Sequence, residues 1–304
     1  MAKWKKLKRW KKVTIIIVAV LLLIIGLGAI YINTVLNKVT INDLPNTNEE
    51  LGIDEEFMGQ NGETVNIALF GVDSRNNDIG RSDTIIILSL DYEENKIKLS
   101  SIMRDTYVAV EGYGMTKINH AYAYGGPLLS IKTINQNFEL DIRDYVYVDF
   151  EGLTDIIDEV GGIDITIKDY EISAMKNYGI NTAGEHHLDG TQALGYCRIR
   201  YQGNGDFERT DRQREVLEVL FNTLDVSDIG EMTGVLNKVL PYVETSYKKG
   251  EIVSLMTSVA TSNMKTLEQK RFPVDGFCHD SMIDGVYYLV IDQEENNKQL
   301  KEFI

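Results

Sequence analysis

Histidine, cysteine and proline are scarce in this 304-residue chain, which has 4 His, 2 Cys and 4 Pro. Four scattered histidines are too few to predict a histidine-based metal site, and the neighbours His186 and His187 point in different directions on a regular element. One disulfide is possible, between Cys197 and Cys278, which would close a loop of about eighty residues. The sequence leaves open whether that pair forms.

Several motifs of common enzyme classes are also absent. Without a G-x-x-x-x-G-K-[ST] loop, a nucleoside triphosphate is not the expected ligand. Neither a G-x-S-x-G turn nor a Cys–His pattern of a catalytic nucleophile is present. The chain shows no fixed-period repeat and no low-complexity run. Its 43% hydrophobic content predicts a globular body with a proper core.

Charge is divided sharply along the chain. Residues 1–12, "MAKWKKLKRWKK", contain seven Lys or Arg and no acid, whereas the other residues contain 24 basic against 46 acidic side chains. So acidic a body would repel a phosphate backbone, and twelve residues are too few for a DNA-binding domain. The composition therefore predicts no nucleic-acid partner.

The basic tail precedes an uncharged run of twenty residues, Val13 to Ile32. At about 1.5 Å per residue, this run spans the roughly 30 Å of a bilayer core. A cleaved signal peptide is the alternative, but its apolar region is shorter and ends at an A-x-A-like site, which is missing here. We predict a cytosolic tail (1–12), a transmembrane helix (13–32), an extracellular stalk (33–62) and an extracellular catalytic domain (63–304) in the cell membrane.

The body alternates between strand and helix patterns. Apolar, β-branched runs predict strands at 64–73, 83–91, 96–105, 144–150, 163–167, 268–276 and 285–292. Helical spacing predicts helices at 126–138, 151–162, 188–196, 210–224, 227–241 and 250–262. This order predicts an α/β fold, a single domain with a central mixed sheet flanked by helices.

Charged side chains cluster at three predicted loops. Asp73 and Asp83 flank the loop after the first strand, and Arg104 with Asp105 ends the third strand. The third cluster contains five arginines within seventeen residues: Arg198, Arg200, Arg209, Arg212 and Arg214. Each residue alone is explained by turns, caps or solvated ion pairs.

Taken together, these clusters suit an anionic ligand. Carboxylates at strand ends favour Mg²⁺, and arginine forks grip phosphate oxygens. Arg198 and Arg200 would share one face of an extended segment, and Arg209 and Arg212 one face of a helix. The residues alone predict phosphate or pyrophosphate chemistry outside the membrane.

The motifs also resemble a known family. "FGVDSR", "GRSDTIIILS", "SIMRDTYV", "KINHAYAYGG", "VDFEGLTDIIDEVGGIDI", "LDGTQALGYCRIRY" and "GDFERTDRQREVL" occur in the order seen in the LytR–CpsA–Psr family. The resemblance implies a phosphotransferase that takes a glycopolymer, such as wall teichoic acid or capsular polysaccharide, from a polyprenyl-pyrophosphate carrier. It would attach the polymer to a peptidoglycan hydroxyl through a phosphodiester.

The resemblance also implies roles for individual residues. Asp83 and Asp73 match the acidic pair that would bind Mg²⁺ (or Mn²⁺), and Asp206 lies in a motif where it could assist proton removal. The implied pyrophosphate-binding residues are Arg81, Arg104, Lys117, Arg198, Arg200, Arg209 and Arg212. Of these, Arg104, Arg198 and Arg200 are also implied to be catalytic, together with Asp73 and Asp206.

Three alternatives stay open at this point. Water could replace the sugar hydroxyl, which would make the protein a polyprenyl-pyrophosphate phosphatase. The chain could instead be a non-catalytic envelope regulator. It could also be a polysaccharide-binding protein, which would use aromatic platforms, and its 16 tyrosines are compatible with that role.

Overall fold

The computed structural model describes residues 31–59, 63–72, 80–200, 206–223, 234, 237–262, 264 and 266–304. A seven-stranded sheet forms its centre, in the order β1-β10-β7-β2-β3-β4-β11. These strands are β1 (Thr40–Ile41), β2 (Val65–Val72), β3 (Ser82–Asp91), β4 (Lys96–Ile102), β7 (Asp144–Asp149), β10 (Glu244–Thr245) and β11 (Thr266–Phe272). Both parallel and antiparallel pairs occur, so the predicted mixed sheet is confirmed.

Helices cover both faces of the sheet. They are α1 (Asn48–Leu51), α2 (His120–Phe138), α3 (Phe150–Glu159), α4 (Ile172–Met175), α5 (Gly190–Cys197), α6 (Asp206–Thr223), α7 (Lys249–Ser262) and α8 (Gln293–Phe303). Asp149 and Asp189 cap α3 and α5 by accepting hydrogen bonds from the backbone, as Asp side chains commonly do at helix starts. Helix α3 ends at Glu159, just before Gly161 and Gly162, which both adopt a left-handed backbone that cannot continue the helix.

The main core lies between one face of the sheet and helix α2. Alternate residues of β2 and β3, such as Phe70 and Ile87, pack there against Ile131, Ile134 and Phe138. The period-2 pattern of the strands and the helical spacing of α2 thus bury their apolar faces against each other.

Three small hairpins were not predicted. They are β5 (Tyr107–Val110) with β6 (Gly114–Lys117), β8 (Ile163–Ile167) with β9 (Gly184–Leu188), and β12 (Cys278–Ile283) with β13 (Val286–Ile291). Only β8 and β13 among these strands had been recognised. The others are short or carry few apolar residues, so their periodicity is weak. The predicted helix at 227–241 falls mostly outside the described residues.

The segment predicted to be a stalk contributes to the folded body. Strand β1 pairs with β10 at the edge of the central sheet, and Leu51 and Ile53 are buried in the main core. The segment has too few apolar residues to show the period of a strand or a helix. Two of them, Leu51 and Ile53, nevertheless pack in the main core. The predicted transmembrane helix lies outside the described residues except for Tyr31 and Ile32, and no helix within the described ranges is long and apolar enough to cross a bilayer.

Both cysteines are free thiols in the structure. Cys197 is buried, and that burial raises the pKa of its thiol to about 12. Because both thiols are free, the disulfide considered from the sequence is not formed.

Candidate active site

Asp83 lies at an irregularity between the first two long strands of the sheet. Gly71 pairs with Thr84 and Val72 pairs with Ser82, so Asp83 is an extra, unpaired residue of β3. Such a bulge redirects a side chain, and bulges recur beside active sites. Gly71 is needed here, since a Cβ atom at this position would lie 2.9 Å from the Cβ atom of Thr84.

A network of ion pairs extends from Asp83. Nη1 of Arg104 donates to Oδ1 of Asp83, and Nη2 of Arg200 lies 3.6 Å from Oδ2 of the same carboxylate. Arg104 also donates from Nε to Oδ2 of Asp105, at 3.3 Å. Nζ of Lys117 donates to Oδ1 of Asp105, at 2.5 Å. Four of the predicted residues, Asp83, Arg104, Lys117 and Arg200, are thereby brought together.

Asp105 was not predicted as a site residue, although it lies at the centre of this network. Its side chain is buried between Arg104 and Lys117. The β5–β6 hairpin returns the chain so that Lys117 pairs with Tyr107, two residues after Asp105. The only sequence signal was its place beside Arg104 at a strand end, which an ordinary ion pair explains equally well.

The group carries more positive than negative charge. Two carboxylates, Asp83 and Asp105, face three cations, and Arg81 immediately precedes β3. The field of these cations reaches His120: burial, followed by the positive charges of Arg81 and Lys117, lowers its pKa. Cations held in place by protein carboxylates form a suitable binding site for a diphosphate.

Arg198 lies on the ring of Phe150, with its guanidinium carbon 4.8 Å from the ring centroid. It follows α5 in a helical backbone conformation rather than the extended one expected from sequence. Arg198 and Arg200 therefore reach different partners, the aromatic ring and Asp83 respectively. A cation–π contact of this kind orients a guanidinium without neutralising it.

An apolar cavity of about 300 Å³ opens beside these cations, between the sheet and helices α3 and α6. Gly71 and Thr84 line it next to Asp83, and Phe150 lines it beneath Arg198. Its wall is otherwise largely aliphatic: Val146, Val148, Leu153, Ile156, Val160, Val216, Leu217, Leu220, Val239 and Val243, with Gln213 as a polar member. The sequence analysis did not predict that these residues line a cavity.

Arg212 does not face the cavity. Its Nε atom donates to Oε1 of Glu171 at 2.6 Å, its Nη2 to Glu208 at 2.8 Å, and its Nη1 to the carbonyl oxygen of Ile199 at 3.1 Å. Arg212 thus pairs with protein groups: Nη1 holds Ile199, between Arg198 and Arg200, while Nε and Nη2 bind two carboxylates. Its predicted pyrophosphate contact stays a prediction. Arg209 is also buried, and its contact with substrate stays a prediction.

Two predicted acids are not located by the structure. Asp73 lies outside the described residues, and Asp206 begins α6 without its side chain being described. Within the ranges that are described, no group of three or more His, Cys, Asp or Glu side chains could hold a metal ion. The described part of the site thus supplies a metal with one predicted ligand, Asp83.

The chain is similar to known proteins along most of its length. The model of the LytR_cpsA_psr family matches residues 30–303. A polyisoprenyl-teichoic acid–peptidoglycan teichoic acid transferase, TagU, of Oceanobacillus iheyensis is 37% identical over 78% of this chain and 74% of its own. TagU of Bacillus cereus is 33% identical over 92% of this chain and 93% of its own.

Solved structures resemble the whole body. TagV of Bacillus subtilis is 30% identical, with a TM-score of 0.64, over 79% of this chain and 96% of its own. TagT with bound octaprenyl pyrophosphate lipid is 25% identical, with a TM-score of 0.61, over 80% of this chain and 89% of its own. The ligand in that second structure combines an apolar octaprenyl tail with a diphosphate.

Proposed function

The chain belongs to the LytR–CpsA–Psr family, and on that premise we propose that it transfers a glycopolymer from a polyprenyl-pyrophosphate carrier to peptidoglycan. The enzyme is a glycopolymer–peptidoglycan phosphotransferase, and its product is a phosphodiester. The relatives named as teichoic acid transferases support wall teichoic acid as the class of polymer.

One observation carries this proposal: the apolar cavity ends where the cations of the site begin. Thr84 lines the cavity, while the adjacent Asp83 binds Arg104 and Arg200. A ligand that fits both regions has a long apolar tail and a compact anionic head. A polyprenyl pyrophosphate has both.

In the proposed reaction, an acceptor hydroxyl oxygen attacks the phosphorus that bears the glycan. The bond from that phosphorus to the bridging oxygen breaks, and polyprenyl phosphate leaves with the bond's electron pair. Arg104, Arg198 and Arg200 stabilise the negative charge that develops on the phosphoryl oxygens and on the leaving group. The hydroxyl proton goes to a base, for which Asp206 stays the candidate implied by the family motif.

A divalent cation, Mg²⁺ or Mn²⁺, is proposed as cofactor. The donor set fits, since Mg²⁺ in phosphoryl-transfer sites is often bound by one or two carboxylates together with substrate phosphates. Asp83, beside the cations, is one proposed ligand, and Asp73 is the second. When bound, the metal would neutralise charge on the pyrophosphate.

The membrane anchor is proposed from the charge pattern of the N-terminus. Residues 1–12 would stay in the cytosol, 13–32 would cross the cell membrane once, and the catalytic body would lie outside the cell. An anchored enzyme meets its lipid carrier at a raised effective concentration.

The proposal is tested with the full chain in detergent, a lipid-pyrophosphate-linked saccharide and peptidoglycan oligomers. We expect a product whose mass equals the oligomer plus the glycan phosphate. The variant Arg104→Ala should lose this product, while Arg143→Ala, at a surface arginine that contacts Asn48, should keep it. A free saccharide phosphate as sole product would instead identify a hydrolase, and no turnover would contradict both activities.

A further inference from the structure

Two tyrosines form an exposed stack near the candidate active site. The rings of Tyr113 and Tyr124 lie with centroids 4.1 Å apart and planes inclined by 16°. Their side chains are 54% and 44% exposed. Met115, which is also exposed, follows Tyr113 by two residues. Exposed aromatic surface that is stacked in this way is a candidate binding surface.

The local backbone holds this stack in place. Tyr113 lies at the tip of the β5–β6 hairpin between Gly112 and Gly114, whose φ angles are +80° and +74°. These left-handed conformations, which suit glycine, turn the chain so that the tyrosine projects. Tyr124 comes from the first turns of α2, just before the non-helical Gly125. Both rings are thus set by turns rather than by the core.

The stack is continuous with the ion-pair network of the active site. The ring of His120 lies 5.7 Å from that of Tyr124, and its Nδ1 atom is 2.8 Å from Oγ1 of Thr116. Lys117, next in sequence to Thr116, binds Asp105 and lies 5.6 Å from the ring of Tyr287. Aromatic side chains therefore lie both at Lys117, which contacts Tyr287, and at His120, which contacts Tyr124.

The chemistry of the proposed reaction gives this end a function. The network begins at Asp83, beside the cavity, and ends at Lys117, beside the tyrosines. In phosphoryl transfer, the attacking and leaving oxygens lie roughly in line on opposite sides of phosphorus. Neither Tyr113 nor Tyr124 is among the residues that line the cavity, so the stack stays open to the acceptor while the polyprenyl group occupies the cavity.

The surface is also electrically suited to an uncharged sugar. Glu111, at the same hairpin tip, is paired with Lys132 at 2.8 Å, and the rings themselves carry no charge. An aromatic ring presents a flat apolar face with a polar hydroxyl at its edge. Hexosamine rings offer the complement, one apolar C–H face and polar rims.

We propose that the Tyr113–Tyr124 stack binds the glycan backbone of the acceptor, a chain of N-acetylated hexosamines, and so positions its hydroxyl for attack. This inference rests on the proposed transferase function. It assigns the stack to the acceptor rather than to the lipid-linked donor, whose diphosphate belongs among the cations.

The test measures acceptor dependence with the full chain in detergent. Replacing Tyr113 and Tyr124 together by Ala should raise KM for uncross-linked glycan strands about tenfold, while kcat at saturating acceptor changes less than threefold. The Tyr→Phe pair, which keeps both rings, should stay near wild type. Tyr170→Ala is the matched control, since Tyr170 is an exposed tyrosine on a different segment, near Lys168.

Binding measurements separate this inference from the proposed function. The wild-type chain should bind glycan-strand oligomers, the Ala pair should bind them about tenfold more weakly, and both should bind polyprenyl pyrophosphate equally. That pattern supports the acceptor site even if no transfer is observed. An unchanged KM and unchanged oligomer binding in the Ala pair, or an equal loss in the Phe pair, would overturn it.

Discussion

The Nε atom of Arg212 lies 2.6 Å from Oε1 of Glu171, and both side chains are buried. This contact joins helix α6 to a segment 41 residues earlier in the chain. A second nitrogen of the same side chain, Nη1, donates to the carbonyl oxygen of Ile199, between Arg198 and Arg200. The arginine-rich stretch thus has a structural part, and substrate contact by Arg198 and Arg200 stays a prediction.

Arg212→Ala should destabilise the fold. Removing one partner of a buried ion pair leaves Glu171 uncompensated and costs about 3–5 kcal/mol. Urea denaturation measures this loss as a lower midpoint. The double variant Arg212→Met with Glu171→Leu should recover much of the stability, because neither position of this buried pair then carries a charge. Unchanged stability combined with lost transfer would show that Arg212 contacts substrate after all.

Arg104→Ala and Arg198→Ala should impair transfer while the fold persists. Each lost charge-assisted contact is worth about 1.5–3 kcal/mol, or roughly ten- to a hundredfold in rate. Steady-state transfer assays measure the rate, and thermal melting checks the fold. Arg143→Ala serves as the control. If both variants transfer the glycan at the wild-type rate, these arginines are surface charges without a role in catalysis.

Leu217→Trp should fill the cavity and select against long lipids. Each CH₂ group kept out of an apolar site costs about 0.8 kcal/mol, so a long polyprenyl donor should bind much more weakly while a two-isoprene donor is spared. Donor binding as a function of chain length measures this. Leu128→Trp, which packs at the opposite face of the sheet, is the control. Equal loss for both donor lengths would place the tail elsewhere.

Chelation of divalent metal should lower activity, and Mg²⁺ or Mn²⁺ should restore it. In Asp83→Asn, the added metal should restore little, because the amide is a poorer ligand than the carboxylate. Asp164→Asn, at an exposed strand residue, should behave as wild type. If chelator leaves the activity of the wild-type enzyme unchanged, Asp83 does not have the proposed role as a metal ligand.

His120 should make stability depend on pH. Burial and the charges of Arg81 and Lys117 lower its pKa in the folded state, whereas the nearby Asp105 opposes this shift. Between the folded and unfolded pKa values the unfolded chain binds more protons, so stability should fall as pH drops below about 6.5. Denaturation midpoints of wild type and His120→Gln, compared from pH 7 to 5, measure the effect. A parallel pH profile for the variant would contradict it.

Several features of this protein could be predicted from local sequence. The apolar runs of β2, β3 and β4 predicted three central strands of the sheet, and helical spacing predicted α5. The order of the motifs predicted the family, which the comparisons confirm. These are properties of periodicity, capping and residue order, and they need no knowledge of distant contacts.

The ion-pair partners of the charged side chains could not be predicted in the same way. Spacing placed Arg209 and Arg212 on one helix face, but only the position of Glu171 shows that Arg212 serves the fold. Likewise, nothing in the sequence around Asp105 distinguished it from an ordinary ion-pair residue, because Lys117 reaches it only when the β5–β6 hairpin closes.

The sequence by itself determined five strands of the main sheet (β2, β3, β4, β7 and β11), the family and the set of charged residues available for chemistry. Only the tertiary structure decided which of those charges meet, that a cavity lies beside them, and that the Tyr113–Tyr124 stack lies at the far end of their network. The physical reason is range: periodicity and capping act within a few residues, whereas an ion pair or a cavity is formed by segments far apart in the chain.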